Sequence, residues 1–221
     1  MTSACAIEWY DFYLYGSMAT IIGAQFFSQY PEGTRNIFAL LAFAAGFLVR
    51  PFGALVFGRL GDLVGRKYTF LVTIVIMGAA TFAVGLLLSS ETIGITAAIL
   101  LIVLRCLQGL ALGGEYGGAA TYVAEHAPDN KRGQYTSWIQ VSVVGGFLLC
   151  LAVVLATRAS MSPADFEAWG WRVPFLGSLI MLAISLYIRL KLSESPVFKA
   201  MKDAGTTSKN PIMDSLRSRT A

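Results

Sequence analysis

The chain has 221 residues, of which 56% are hydrophobic and only 14% are charged, with a net charge of +4. A soluble domain normally carries about 25% charged residues, so this composition excludes a soluble domain, and it equally excludes a highly charged disordered chain. Together with a mean hydropathy of +0.63, it predicts a protein that crosses a membrane several times.

Six apolar runs are long enough to form membrane spans, since a helix needs about 20 apolar residues to cross a bilayer. The runs predict spans at 6–27, 37–58, 68–88, 95–122, 136–157 and 171–191. The segments between them include a turn at Pro31-Glu32-Gly33 and a polar hairpin at Ser89-Ser90-Glu91-Thr92. Ser162 and Pro163 are typical of the N-cap and first turn of a short helix. The fold class predicted here is therefore all-α.

Lysine and arginine are distributed unevenly between the two predicted sides of this bundle. With the N-terminus inside, the inner residues are Arg59, Arg66, Lys67, Lys131, Arg132, Arg189, Lys191, Lys199, Lys202, Lys209, Arg217 and Arg219, and the outer ones are Arg35, Arg158 and Arg172. Cytoplasmic loops carry such an excess, so both termini are expected in the cytoplasm, with the chain in the plasma (inner) membrane. The topology accounts for the basic excess, and nucleic acid is not an expected partner.

Five ionisable side chains lie inside the predicted spans, where each costs about 2.5–3.5 kcal/mol and is therefore a functional candidate. They are Glu8 and Asp11 in the first span, Arg50 in the second, and Arg105 and Glu115 in the fourth. At about 100° per residue, Glu8, Asp11 and Tyr15 share one face of the first helix. By the same spacing, Arg105, Gln108 and Glu115 share one face of the fourth helix. We expect both faces to point into protein or a wet cavity.

Alternative roles remain open for some of these groups. Glu8 lies near the start of its span, so its side chain can also reach the membrane surface. Arg50 is equally consistent with a structural partner for a carboxylate and with a functional group. Arg105 lies deep in an apolar run, which favours function. A carboxylate, Glu115 or Asp11, beside one of these arginines is suited to binding and releasing a proton.

Small residues recur at a spacing that favours close packing of the fourth helix against a neighbour. Gly109, Gly113 and Gly117 are four residues apart, which brings them to one side of a helix. Helix packing is the simplest interpretation, although this face beside Arg105 and Glu115 is also a candidate lining for a substrate path.

The predicted inner loop between the second and third spans reads Gly58-Arg59-Leu60-Gly61-Asp62-Leu63-Val64-Gly65-Arg66-Lys67. It resembles the signature G-x-L-[AG]-D-x-x-G-R-[KR] of the major facilitator superfamily, in the place where that family carries it. The positive-inside rule explains Arg66 and Lys67 but not Asp62, which is expected to pair with Arg66 and to latch the inner helix ends. The candidate inner-gate residues are therefore Gly58, Gly61, Asp62, Gly65, Arg66 and Lys67.

Further motifs resemble the metabolite:proton symporter branch of that superfamily, which includes transporters for shikimate, 2-oxoglutarate, citrate and proline/betaine. These motifs are Glu8-Trp9-Tyr10-Asp11-Phe12-Tyr13-Leu14-Tyr15-Gly16, Arg50-Pro51-Phe52-Gly53, Gly113-Gly114-Glu115-Tyr116-Gly117-Gly118, Trp171-Arg172-Val173-Pro174-Phe175 and Glu194-Ser195-Pro196-Val197-Phe198. Arg105-Cys106-Leu107-Gln108-Gly109 is similar to the family motif whose arginine is implicated in proton coupling.

The resemblance implies one half, a three-plus-three inverted repeat, of a twelve-helix fold. It places the N-terminal six-helix bundle at 1–191 and a cytoplasmic central-loop segment at 192–221, with a C-terminal six-helix half as the missing partner. The implied function is symport of a small organic acid or zwitterion with protons, by alternating access, without enzymatic chemistry, a metal or another cofactor. The alternative is a truncated membrane protein that does not transport and serves in assembly or sensing.

Overall fold

A computed structural model describes residues 2–191, without the side chains of residues 2–5, 7, 8, 116 and 129. The segment expected in the cytoplasm at 192–221 and the side chain of Glu8 lie outside the described residues. The helices are α1 (Thr2–Ser17), α2 (Ala19–Phe26), α3 (Glu32–Val64), α4 (Arg66–Leu86), α5 (Ser90–Ile93), α6 (Ile95–His126), α7 (Arg132–Ala159), α8 (Pro163–Asp165) and α9 (Arg172–Leu190).

Five helices in the described part of the chain, α3, α4, α6, α7 and α9, are long and apolar enough to cross a membrane. The first predicted span corresponds to α1 followed by α2, with a break in the helix at Met18. The six predicted apolar runs therefore all become helical, and the predicted all-α fold class is confirmed.

The signature segment differs from the predicted inner loop, because most of it is helical. The second span runs without interruption to Val64, and Gly65 alone separates α3 from α4. Gly65 has a φ of 115°, a conformation that a residue with a Cβ rarely adopts. Its backbone N–H donates to the carbonyl of Gly61 and so ends α3. A single glycine therefore makes the whole turn, and the residues on both sides stay in the helix.

Two other connections also contain more helix than the sequence predicted. The polar stretch expected to form a hairpin forms α5 instead, because the N–H groups of Thr92 and Ile93 donate to the carbonyl of Ser89. The turn expected at Pro31 is the start of α3. The N-cap prediction at Ser162 is confirmed, since its side chain accepts a hydrogen bond from the backbone N–H of Asp165.

The spans pack in a pattern that a three-plus-three repeat requires. The main contacts join α1 to α7, α3 to α6, and α4 to α9. Numbered as spans, these pairs are 1 with 5, 2 with 4, and 3 with 6. If spans 1, 2 and 3 are exchanged with spans 4, 5 and 6, in that order, the same three pairs result. The contacts between α4 and α6 and between α1 and α9 follow the same exchange.

The α3–α6 contact depends on glycine. The four-residue spacing predicted this close packing correctly for two of the three glycines. A Cβ added to Gly109 would overlap the backbone of Gly46, and one added to Gly113 would overlap the backbone of Arg50. Gly117 differs, because a Cβ there would meet nothing within 4 Å. Two glycines thus bring α3 against the stretch of α6 that carries the candidate polar groups.

Candidate functional site

An open cavity of about 550 Å³ lies between α1, α3, α6 and α7. Its polar lining comes from Arg50 and Gln140, and its aromatic lining from Trp9, Tyr13 and Phe47. A positive charge beside aromatic rings suits a small ligand with a carboxylate and an apolar or cationic body. The sequence predicted Arg50 as a candidate, whereas the aromatic residues were not identified as site residues.

The guanidinium of Arg50 lies over several aromatic ring faces. Its Cζ is 4.1 Å from the ring centre of Phe47, 4.4 Å from that of Phe12 and 5.7 Å from that of Trp9. These separations fall within the range of a cation–π interaction. Among the described residues, no hydrogen-bond partner is found for its Nε and Nη2 atoms. The rings therefore fix the position of the charge while leaving donors for an incoming anion.

A second cation, Arg105, lies deeper in the bundle and is only 2% exposed. Its Cζ is 3.8 Å from the ring centre of Tyr15, and the Tyr15 hydroxyl donates to the carbonyl of Ala39 at 3.0 Å. The buried carboxylate of Asp11 interacts electrostatically with this guanidinium. Within residues 2–191, no partner is found for Nε and Nη2 of Arg105. The structure therefore brings three predicted residues together, with the hydrogen-bonding capacity of the arginine partly unused.

Gln108 is buried on the same face of α6 and binds a different neighbour. Its Nε2 donates to Oγ1 of Thr81 on α4 at 2.6 Å, and the Thr81 hydroxyl donates in turn to the carbonyl of Met77. No hydrogen-bond partner for Oε1 of Gln108 is found in the described part of the chain. This side chain links α6 to α4 next to the Arg105 region.

Glu115 has a partner that the sequence did not predict. Its carboxylate accepts from the guanidinium of Arg189 on α9 and from the Thr73 hydroxyl on α4, the latter at 3.3 Å. Arg189 also donates to the carbonyl of Phe70 at 2.8 Å. The sequence counted Arg189 only as one of the basic residues predicted on the inner side, whereas its side chain is 2% exposed. The last turn of α9 packs on α4, which directs this side chain into the bundle towards Glu115.

The signature segment lines a second cavity, of about 210 Å³, at the junction of α3, α4 and α6. Asp62 and Arg66, which were expected to pair, both line it. The side chain of Arg66 forms an ion pair with Glu125 at 3.2 Å, which joins the start of α4 to the end of α6. Lys67 donates to the carbonyl of Leu190 at 3.0 Å and so joins α4 to α9. Gly58 and Gly61 also line this cavity, whereas Gly65 makes the turn between α3 and α4.

The sequence-predicted residues thus separate into distinct groups. Asp11, Tyr15 and Arg105 lie together, whereas Arg50 lies among aromatic rings and Glu115 belongs to an ion pair with another helix. Sequence reasoning missed Arg189 and the ring set of Trp9, Phe12 and Phe47. The available signal was the spacing of Trp9 and Phe12, three residues apart, which places both rings on one face of α1.

Comparisons with known proteins agree with the fold. The family model described as "Sugar (and other) transporter" matches residues 1–217. The chain is 43% identical to the proline/betaine transporter of Escherichia coli K12 over 198 residues, which are 90% of this chain and 40% of that protein. It is 38% identical to the shikimate transporter of the same organism over 217 residues, 97% of this chain and 50% of that one. The chain thus spans half or less of the length of these curated relatives.

Solved structures give the same picture of the architecture. The inward-open xylose transporter XylE from E. coli superimposes with a TM-score of 0.81 at 18% identity, over 99% of this chain and 52% of that chain. The proton:xylose symporter XylE bound to 6-bromo-6-deoxy-D-glucose also gives a TM-score of 0.81, over 93% of this chain and 46% of that chain. At this identity the likeness concerns the fold, which matches one half of a major facilitator transporter.

Proposed function

This chain belongs to the sugar (and other) transporter family of the major facilitator superfamily, and from that premise we propose that it is the N-terminal half of a proton-coupled symporter. The complete transporter, meaning this bundle with a second six-helix half, carries a small organic acid or zwitterionic metabolite across the inner membrane by alternating access. Both ends of this half lie in the cytoplasm. Protons are the coupling ion, and no other cofactor takes part.

The observation that carries this proposal is the cavity at Arg50. An arginine with unused donors binds a carboxylate well, because its planar fork matches two carboxylate oxygens. The nearby ring faces of Trp9, Tyr13 and Phe47 suit an apolar ring or an alkylammonium group of the same ligand. A carboxylate with an ammonium group or a compact ring fits this combination, as in the proline, betaine and shikimate named for the relatives.

We assign the proton to Asp11 rather than to Glu115. Protonating Glu115 would leave Arg189 as an uncompensated buried charge, a change that typically costs about 3–5 kcal/mol. Asp11 is buried beside Arg105, whose remaining donors and ring contact with Tyr15 allow its interaction with the carboxylate to vary. A proton on Asp11 thus changes the charge at the centre of the bundle without breaking the α6–α9 ion pair.

The inner gate is assigned to the signature segment. Arg66 and Glu125 connect the inner ends of α4 and α6, and Lys67 connects α4 to α9. Alternating access requires the inner helix ends to hold together in one state and to separate from the other half in the next. Partly exposed polar contacts suit this role, because solvent screens them and they are exchanged more readily than a fully buried ion pair.

The test is uptake by the purified complete transporter in proteoliposomes. Labelled proline, glycine betaine and shikimate are offered separately, with the outside more acidic than the lumen, with equal pH on both sides, and with a protonophore. We expect saturable uptake of at least one of them, accelerated by the acidic exterior and abolished by the protonophore. Uptake that ignores the gradient would contradict proton coupling, and the absence of any uptake would favour the non-transporting alternative.

Arg50→Gln tests the assigned ligand site in the same assay. We expect uptake to fall by at least about tenfold, because the variant removes the charge that binds the carboxylate. Arg158→Gln is the matched control, since Arg158 also lies over a ring, that of Phe166 at 5.0 Å, but away from the cavity. Equal losses in both variants would remove the specific role given to Arg50.

A further inference from the structure

Arg50 and Arg105 are joined by an unbroken path of aromatic rings between α1 and α3. The ring of Phe12, which covers Arg50, has its centre 4.8 Å from that of Phe43. The ring of Phe43 is stacked on that of Tyr15, with centres 5.7 Å apart and planes inclined by 3°. Tyr15 in turn covers Arg105. One ring, Phe43, therefore stands between the two cation sites.

The surroundings of Phe43 leave it little freedom to move alone. Its ring also makes an edge contact with Phe47, the other ring close to Arg50. On the α1 side it lies against the backbone, since a Cβ added to Gly16 would be 3.7 Å from its Cζ. In the described part of the chain, Phe43 is the one ring in contact with Tyr15. Packed side chains transmit small displacements, and of the two rings closest to Arg50 it is Phe12 that is buried, whereas Phe47 is 43% exposed. A shift of Phe12 therefore displaces Tyr15 through Phe43.

We propose that Phe43 is a positioning residue that couples ligand binding at Arg50 to proton binding at Asp11. The inference rests on the proposed function. A carboxylate that accepts from Arg50 draws the guanidinium away from Phe12 and Phe47, and these rings repack. Phe43 follows them and moves the Tyr15 ring over Arg105, which changes the field of that guanidinium at Asp11. By thermodynamic linkage, a proton on Asp11 must then change ligand affinity at Arg50 by the same factor.

The proton site has several charged or titratable neighbours besides the ring path. The described residues that act electrostatically on Asp11 include Arg105 from α6, Cys150 from α7 and Tyr10 from α1 itself. Of these, the path from Phe43 through Tyr15 reaches Arg105. A variant of Phe43 leaves all of these groups in the chain and interrupts the ring path between Arg50 and Arg105.

Phe43→Leu is the direct test, because leucine keeps an apolar side chain but has no ring to stack on Tyr15. The affinity of the complete transporter for the ligand chosen by the uptake assay, from proline, glycine betaine and shikimate, is measured in acidic and in alkaline buffer. We expect the wild-type affinity to change by about 5-fold or more with pH, and that of the variant by less than about 2-fold. Phe43→Tyr keeps the ring and should retain the wild-type change.

Phe38→Leu is the matched control on the same helix. Its ring lies 4.9 Å from that of Tyr30 and 5.6 Å from that of Phe27, outside the path between the two arginines. The inference is overturned if the ligand affinity of Phe43→Leu changes with pH as much as that of the wild type. It is also overturned if Phe38→Leu loses the pH dependence of affinity to the same extent as Phe43→Leu. If Phe43→Leu does not fold, Phe43→Met is judged by the same criteria. A wild-type affinity that ignores pH instead refutes proton coupling itself, which distinguishes the two failures.

Discussion

Arg105 and Arg189 are both 2% exposed in the same bundle, yet their surroundings differ in kind. Arg189 donates to a carboxylate, that of Glu115, and to the backbone carbonyl of Phe70. Arg105 lies against the ring of Tyr15 and, among the described residues, has no partner for its Nε and Nη2 atoms. Arg189 is thus held by an ion pair to α6 and a hydrogen bond to α4, whereas the contacts described for Arg105 are the Tyr15 ring and the charge of Asp11.

The difference indicates two roles for a buried arginine: Arg189 stabilises the packing of the helices, whereas Arg105 is the candidate for a functional charge. An ion pair buried across three helices holds them in register, and its loss leaves a buried charge without compensation. An arginine held mainly by a ring face can reorient at lower cost, because cation–π interactions contribute about 0.5–2 kcal/mol. We infer that the α4–α6–α9 junction around Glu115 behaves as a rigid unit. In the proposed transporter, we infer that the α1–α3–α6 junction around Arg105 is where the charge changes.

The largest expected effect on stability comes from breaking the ion pair between Glu115 and Arg189. Glu115→Gln removes the carboxylate but keeps the side-chain shape, and we expect it to lower the free energy of unfolding by about 3–5 kcal/mol. Glu125→Gln is the control, since its ion pair with Arg66 is about one-fifth exposed and is therefore screened more by solvent than the fully buried pair, which predicts a smaller loss. Thermal unfolding of the purified protein in detergent measures both. Equal, small shifts in the two variants would show that the ion pair of Glu115 does not stabilise the packing of the helices.

Arg105→Lys tests the other side of the comparison. Lysine keeps the charge but loses the planar fork and the flat contact with the Tyr15 ring. We expect transport to fall by at least about tenfold, which corresponds to about 1.4 kcal/mol, with little change in the unfolding temperature. Arg189→Lys should show the opposite pattern, in which the unfolding temperature falls more than transport does. A variant Arg105→Lys that transports like the wild type would contradict the role assigned to this residue.

These two arginines also mark what the sequence could and could not predict. Hydropathy located the five long apolar helices of the described chain, and the first predicted run became the shorter helices α1 and α2. Helical periodicity correctly placed Asp11, Arg105 and Glu115 in the interior, because it depends on local spacing. The partner of Glu115 could not be found in this way, since Arg189 is 74 residues away and its direction depends on how α9 packs on α4. Periodicity identifies a buried face but not which helix covers it.

The same limit applies to the signature segment and to the rings. The charged residues around Asp62 predicted a loop, because polar residues at the end of a span are usual for a loop. In the structure the helix continues to Val64, and one glycine makes the turn. The rings of Phe12 and Phe47 read as ordinary apolar positions. Only the α1–α3 contact shows that they meet over Arg50.

The smallest expected effect separates the hydroxyl of Tyr15 from its ring. Tyr15→Phe removes the hydrogen bond to the carbonyl of Ala39 and keeps the face beneath Arg105. We expect a loss of about 0.5–1.5 kcal/mol in unfolding free energy and transport close to that of the wild type. Tyr15→Leu also removes the aromatic ring that lies against Arg105, and it should lower transport further. If Tyr15→Phe alone abolishes transport, the ring face is not sufficient, and the hydrogen bond from Tyr15 to the carbonyl of Ala39 is needed to hold that ring against Arg105.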